Sequence, residues 1–221
     1  MQVDICPTVL ADSQESYDHQ MHRLADFVER VHIDLVDGAF APAKTIAIED
    51  VWWPGGVQAD LHVMFKRPFD YMDAVIGLHP QLIIVHAEAE GDFVGFANKV
   101  HHHGMEAGVA MLPETTFEMI EPALGLIDHV LVFSGHLGNF GGHADLELLE
   151  KVKKLKAASP RLEIGWDGGV NDKNAAKLAA GGVQVLNAGG YLHGAKNPAT
   201  AYQKLKDLSN RTDSSEPITT N

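Results

Sequence analysis

Short apolar runs rich in Val, Ile and Leu alternate with amphipathic stretches along nearly the whole 221-residue chain, and this alternation is what most restricts its fold. Such runs, separated by helical patterns, are repeated βα units around a parallel sheet. Strands are expected at Val3–Leu10, Val31–Asp37, Val57–Phe65, Gln81–Ala87, Ala107–Leu112, His129–Ser134, Leu162–Asp167 and Val183–Ala188. Helices are expected at Ser13–Glu29, Ile46–Trp53, Pro68–Leu78, Asp92–His103, Thr116–Leu126, Asp145–Ala157, Asp172–Ala180 and Pro198–Leu208. Asn197 before Pro198 reads as an N-cap followed by a first-position proline, and Asn171 precedes another helical run. Gly104 and Gly181–Gly182 stand where helices should stop.

Eight such units close naturally into a single TIM (β/α)8 barrel, assigned here to residues 1–208. No Gly-x-Gly-x-x-Gly turn follows the first strand, which argues against an open doubly wound sheet. Residues 209–221 are polar and aperiodic and are expected to form a C-terminal tail.

The formal net charge of −13 and a pI near 5.3 make nucleic acid and anionic membrane poor partners, since both need a basic surface. A small anionic substrate would have to be held locally. No run approaches the roughly 18 apolar residues of a membrane span. The start of the chain, MQVDICPTVLADSQ, lacks the basic-then-apolar layout of a signal peptide, so a cytoplasmic location is expected. Cys6 is the only cysteine, which excludes an internal disulfide.

The second strand reads Val-His-Ile-Asp-Leu-Val-Asp-Gly, and its two-residue period turns His32 and Asp34 to one face, Ile33 and Leu35 to the other. The third offers Asp60-Leu-His62-Val-Met64, and the seventh ends in Trp166-Asp167-Gly168-Gly169. Imidazole and carboxylate on apolar strands must be paired, hydrogen-bonded or metal-bound. A barrel gathers the C-terminal ends of its strands at one mouth, where His32, Asp34, His62 and Asp167 would form an N₂O₂ set suited to Zn²⁺, Fe²⁺, Mn²⁺ or Co²⁺. Taken singly, a strand histidine is more often a satisfied core or surface residue than a ligand, and an aspartate at a strand end often merely caps the next helix. His86 on the fourth strand reads either as a partner of a ligand or as packing. The run His101–His103, at a helix end, reads as surface.

These residues resemble the ribulose-phosphate 3-epimerase family, whose barrels carry a His-x-Asp, a strand-three His and a late Asp-Gly-Gly as ligands of one divalent metal. The resemblance runs in order from Pro7-Thr8-Val9-Leu10 to Ala188-Gly189-Gly190. It implies that Asp34 and Asp167 are also the acid and base, moving a proton beside a ketone of a phosphorylated ketose. It implies a sugar pocket with Thr8, His62 and Met64, the last as an apolar lid, and a phosphate held by glycine backbone at Gly141–Gly142, Gly168–Gly169 and Gly189–Gly190. It also makes homo-oligomerisation plausible, with Trp52 and Trp53 the most apolar exposed candidates.

The chain departs from the family pattern at Thr8, Val36, Ala39 and Ala43, and in a longer loop after strand six, Ser134-Gly-His-Leu-Gly-Asn-Phe-Gly-Gly142. His136 in that loop is expected to be solvated rather than a pocket contact. These changes leave the metal set intact and bear on the substrate. Related barrels that decarboxylate carry Asp-x-Lys-x-x-Asp on strand two, whereas Asp34-Leu35-Val36-Asp37 supplies no lysine, and Lys66 is the nearest candidate for a Schiff-base aldolase. A barrel that binds a phosphorylated ligand without turning it over remains the alternative outside catalysis.

Overall fold

All eight apolar runs form parallel strands: β1 (Asp4–Val9), β2 (Arg30–Val36), β3 (Gln58–Met64), β4 (Leu82–His86), β5 (Glu106–Met111), β6 (His129–Phe133), β7 (Glu163–Asp167) and β8 (Val185–Ala188). The structure is a computed structural model and describes residues 2–138 and 142–210. Each strand pairs with its sequence neighbour, and β1 closes the sheet on β8 with Asp4 opposite Val185 and Cys6 opposite Asn187, giving a closed (β/α)8 barrel.

The two-residue period sorts side chains into lumen and outer layer. Ile33, Leu35, Leu61, Val63, Ile83 and Val85 point outward and are buried under the helices. Leu82, Ile84, Ala110 and Leu131 form a small apolar plug inside the lumen. Burial of the outer layer supplies most of the driving force, at about 25 cal/mol per Å² of apolar surface.

The covering helices are α1 (Gln14–Leu24), α2 (Met72–Gly77), α3 (Phe93–His102), α4 (Phe117–Ile120), α5 (Leu149–Ala158), α6 (Ala175–Ala180), α7 (Gly190–His193) and α8 (Pro198–Ser209). Helix α1 buries Tyr17, Gln20, Met21 and Leu24, one face of a 3.6-residue period, and Ser13 accepts from Ser16 N–H at its start. Asn197 caps α8 by accepting from Thr200 N–H at 3.0 Å, with Pro198 in the first turn as expected. Asn171 instead shapes a turn, its side-chain oxygen accepting from Lys173 N–H, and α6 starts only at Ala175. Gly104, with φ +75°, ends α3.

Several sequence expectations require correction, and the helices expected at Pro68–Leu78 and Asp145–Ala157 each begin as a 3₁₀ turn, at Pro68–Tyr71 and Leu146–Leu148. Ile46–Trp53 is not an α-helix: only a 3₁₀ turn at Ile48–Asp50 forms, and Val51 is already extended. Tertiary contacts outweigh the helical pattern there. The Trp52 carbonyl accepts from Tyr17 Oη at 2.6 Å, its indole N–H donates to Asp18 at 2.7 Å, and Ile48 and Val51 are buried. Trp52 and Trp53 are accordingly half-buried against the core rather than exposed. Thr116–Leu126 likewise splits into α4 and a 3₁₀ turn containing Pro122. Helix α8 runs through Ser209, and the Asn210 amide brackets the backbone of Val3, accepting at 2.7 Å and donating at 2.8 Å. The barrel's last helix thus extends past residue 208, and residues 211–221 of the expected tail lie outside the described residues.

Candidate metal and active site

On β2 and β3, in-register pairing sets His32 beside Asp60, Asp34 beside His62, and Val36 beside Met64. The lumen-facing phase of these strands therefore carries His32 and Asp34 to the same level as His62, and Asp167 arrives from β7 across β8 and β1. His32, Asp34, His62 and Asp167 come together with one ligand atom each lying within 4.8 Å of all the others. Asp34 Oδ1 is 2.9 Å from His62 Nδ1 and 3.3 Å from His32 Nε2. Asp167 Oδ2 is 3.9 Å from His32 Nε2 and 4.0 Å from His62 Nδ1.

The electrostatics split the two carboxylates. Burial acts to raise Asp34, but the imidazoles of His32 and His62 beside it outweigh burial and bring the group down to about 2. Burial, reinforced by the neighbouring Asp34 charge, pushes Asp167 up to about 7. Burial also drives His62 down to about 4 against the pull of Asp34, whereas the carboxylates Asp34 and Asp167 outweigh burial at His32 and raise it. One carboxylate is ionised while the other holds its proton toward neutral pH, the division of labour an acid/base pair needs.

The donor set fits a divalent ion. Two imidazoles and two carboxylates converge, and among the described residues the ion-pair partners of Asp34 and Asp167 are imidazoles rather than Lys or Arg. His32 Nε2 is buried without a hydrogen bond, and so is Asn187 Oδ1, while Asn187 Nδ2 stands 3.1 Å from His32 Nδ1. A half-turn of that amide sets its oxygen to accept from Nδ1–H and leaves the Nε2 lone pair for an ion. The cluster can hold a metal.

Above it opens a cleft whose lining includes Thr8, Met64, Gly168, Gly169, Gly189 and Gly190, together with both aspartates. Thr8 Oγ1 is buried there without a partner. His62 lies beneath the cleft, fully buried, and Gly142 is exposed outside its lining, where Gly135 and Gly138 take part instead. Gly141 lies outside the described residues. Gly168, at φ +111°, admits no side chain, since a Cβ would sit 2.2 Å from Gly135 N.

His136 is exposed, as expected of a solvated loop residue, and it also borders the cleft, in a turn where Gly138 packs on Ala43. Val36 and Met64 form an apolar cluster with Ala41, against which Phe40 and Ala43 pack, while Ala39 is exposed. Asp37 holds this loop, accepting from Ala39, Phe40 and Lys66 N–H. Lys66 is exposed and paired with Glu90 at 3.4 Å, away from the cleft lining. The run His101–His103 is exposed at the end of α3, as expected.

Three features escaped the sequence reading. Asn187 and Glu88 each follow from extending the two-residue period of their strands toward the mouth. Below the site, Arg30, Asp60, Glu163 and His129 form a second cluster, in which Arg30 donates to Asp60 at 2.8 Å and to both Glu163 oxygens at 3.1 and 2.9 Å. Asp60 thus shares the lumen face of His62 but belongs to this lower layer.

The model of the ribulose-phosphate 3 epimerase family matches residues 4–193, which include His32, Asp34, His62 and Asp167. A ribulose-phosphate 3-epimerase of Helicobacter pylori is 32% identical over 192 residues, covering 83% of this chain and 87% of its own. That of Schizosaccharomyces pombe is 27% identical over 224 residues, 98% of both chains. Among solved structures, a 3-hexulose-6-phosphate synthase superposes with TM-score 0.69 at 18% identity, over 93% of this chain and 99% of that one. A 3-keto-L-gulonate-6-phosphate decarboxylase from Vibrio cholerae does so with TM-score 0.72 at 12% identity, over 95% and 98%. At those identities the two structures share the fold alone. The sequence matches carry more, and by them the chain belongs to the ribulose-phosphate 3-epimerase family.

Proposed function

We propose that this protein is an isomerase that inverts C3 of a phosphorylated ketose, interconverting D-ribulose 5-phosphate and D-xylulose 5-phosphate, with Asp34 and Asp167 as its two bases. The observation that carries the reading is the convergence of His32, Asp34, His62 and Asp167, two imidazoles and two carboxylates, beneath a glycine-lined cleft in a chain of this family. Epimerisation beside a ketone removes a weakly acidic proton from one face and returns one to the other. Ionised Asp34 takes the C3 proton, and protonated Asp167 delivers one from the opposite side; the reverse reaction exchanges the roles. His32, Asp34, His62 and Asp167 hold a divalent ion, one of Zn²⁺, Fe²⁺, Mn²⁺ or Co²⁺, which supplies a Lewis acid for the charge that develops on the ketone oxygen.

Met64, buried below the cleft, keeps water from the reacting carbon. Backbone at Gly168–Gly169 and Gly189–Gly190 receives the phosphate, which accounts for an anionic substrate in a chain of net charge −13.

The test is to measure the metal content of the purified protein and follow solvent deuterium into C3 of D-ribulose 5-phosphate and of a small ketose-phosphate panel by NMR. Exchange with inversion on D-ribulose 5-phosphate, lost in Asp34→Asn and Asp167→Asn, is expected. Exchange on another panel member alone would reassign the substrate. Metal without any exchange would overturn the reaction, and neither metal nor exchange with divalent ions supplied would leave a binding barrel.

A further inference from the structure

The imidazole of His62 sits in a hydrogen-bonded chain that leads away from the cluster toward the edge of the barrel. Its Nε2 is 2.9 Å from His86 Nε2, and His86 Nδ1 is 3.2 Å from Glu88 Oε2. Glu88 is itself fixed: Oε1 accepts from Leu112 N–H at 3.3 Å and from the Thr115 hydroxyl, in a loop whose Leu112, Pro113 and Thr115 carbonyls are gathered by the Lys151 ammonium. Phe40 and Phe133 pack on the His86 ring, with centroids 4.8 and 6.0 Å away.

The chain has a direction. An ionised carboxylate only accepts, so His86 Nδ1 carries the proton facing Glu88. A neutral imidazole has one N–H, so His86 Nε2 accepts, and His62 Nε2 must donate to it. The single proton of His62 is then used, and its Nδ1 lone pair faces the metal cluster, 2.9 Å from Asp34 Oδ1. A lone pair against a carboxylate is repulsive unless both face a cation. The opposite polarity, with His62 Nδ1–H bonded to Asp34, withholds that nitrogen from any ion.

We infer that His86 and Glu88 are positioning residues of the metal centre: through His86, the Glu88 carboxylate holds His62 with its proton on Nε2 and its Nδ1 directed at the ion. This rests on reading His32, Asp34, His62 and Asp167 as a metal site, and extends it to two residues that touch neither ion nor substrate.

The test measures Zn²⁺ affinity by competition with a chromophoric chelator for wild type, His86→Phe, Glu88→Gln and His86→Gln, with unfolding midpoints taken in excess chelator. His86→Phe and Glu88→Gln are expected to weaken Zn²⁺ binding by about 10–100-fold while remaining folded. His86→Gln, whose amide can both accept and donate, should retain more affinity than His86→Phe. Long-range ¹H–¹⁵N spectra of histidine-labelled, Zn²⁺-loaded wild type should show His62 protonated at Nε2, its signals assigned by their loss in His62→Gln. If both weakening variants bind Zn²⁺ within twofold of wild type, or His62 carries its proton on Nδ1 when loaded, the inference falls and the metal site stands. If the wild type binds no Zn²⁺, the site reading falls and takes the inference with it.

Discussion

Strands β2, β3 and β7 each turn charged groups into the lumen at two levels, and the two levels differ in how their charge is balanced. On the floor, Asp60 and Glu163 each have the Arg30 guanidinium within 2.9 Å, and His129 adds a hydrogen bond to Glu163 at 2.8 Å. Burial still pushes Asp60 up against the pull of Arg30, and its Oδ1 lacks a partner, but a fixed cation is present. At the mouth, Asp34 and Asp167 face each other across two buried imidazoles, one of which, His62, is held neutral to about 4. A buried cluster that supplies its own cation is architecture, whereas one that lacks it is a place for a ligand. Asp167, pushed up to about 7 where Glu163 is drawn well below the usual carboxylate range, registers that difference.

Removing one carboxylate from each level should break activity at the mouth and not on the floor. Asp167→Asn is expected to lower kcat by about 10²–10⁴-fold while leaving the metal-free protein at neutral pH at least as stable as wild type, since it removes a buried acid that ionises near pH 7 with no fixed cation beside it. Steady-state kinetics with chemical denaturation on the same preparation reads both. A metal-free Asp167→Asn protein markedly less stable than wild type would show the mouth to be structural.

Arg30→Met probes the floor. Deleting the guanidinium strands Asp60 and Glu163 in the lumen, and breaking a buried pair in this way costs about 3–5 kcal/mol. The part that still folds should keep kcat within about threefold, because Arg30 reaches none of the mouth residues, and a larger loss per folded molecule would couple the two layers. Metal sharpens the contrast: Zn²⁺ at a hundred times its dissociation constant should stabilise wild type by about 2.7 kcal/mol in denaturation curves. Arg30→Met should gain the same increment and Asp34→Asn almost none.

The mouth was more legible in the sequence than the floor, for a physical reason. His32, Asp34 and His62 are each flanked on both sides by Val, Ile or Leu, so the two-residue period exposes them without any structure. Arg30 begins β2, where it looks like the end of the preceding helix, and its partner Glu163 lies 133 residues away. Only the register of a closed barrel brings them together. His136 sits past a strand end, where loop geometry rather than periodicity decides what borders the cleft. The failure at Ile46–Trp53 has the same origin: Trp52 is fixed by Tyr17 and Asp18 of α1, contacts that local propensity does not contain. The barrel itself could be read because each strand declares its own two faces.

The smallest effect expected is a difference in how the two layers respond to pH in the metal-free protein. Folded Asp167 holds its proton to about 7, whereas in the unfolded chain it releases it near the ordinary value of 3.8. Between those values the folded state binds more protons, so this group makes stability fall as pH rises, by at most about 1.4 kcal/mol per pH unit, and the fall stops above 7. Glu163 acts with the opposite sign. Its depressed folded value, set by His129 and Arg30 against burial, contributes stability that is complete above the ordinary 4.5 and is lost as pH falls below it. His62, depressed to about 4 from 6.5, also contributes stability that is lost on acidification, so the informative quantity is the difference between wild type and each variant. In chelator, the wild-type minus Asp167→Asn stability should decline from pH 5 to 7, and the wild-type minus Glu163→Gln stability should be flat there and decline below pH 4.5. A flat Asp167 difference across that window would mean the mouth carboxylates are both ionised without metal, and the opposition between the two layers would be lost.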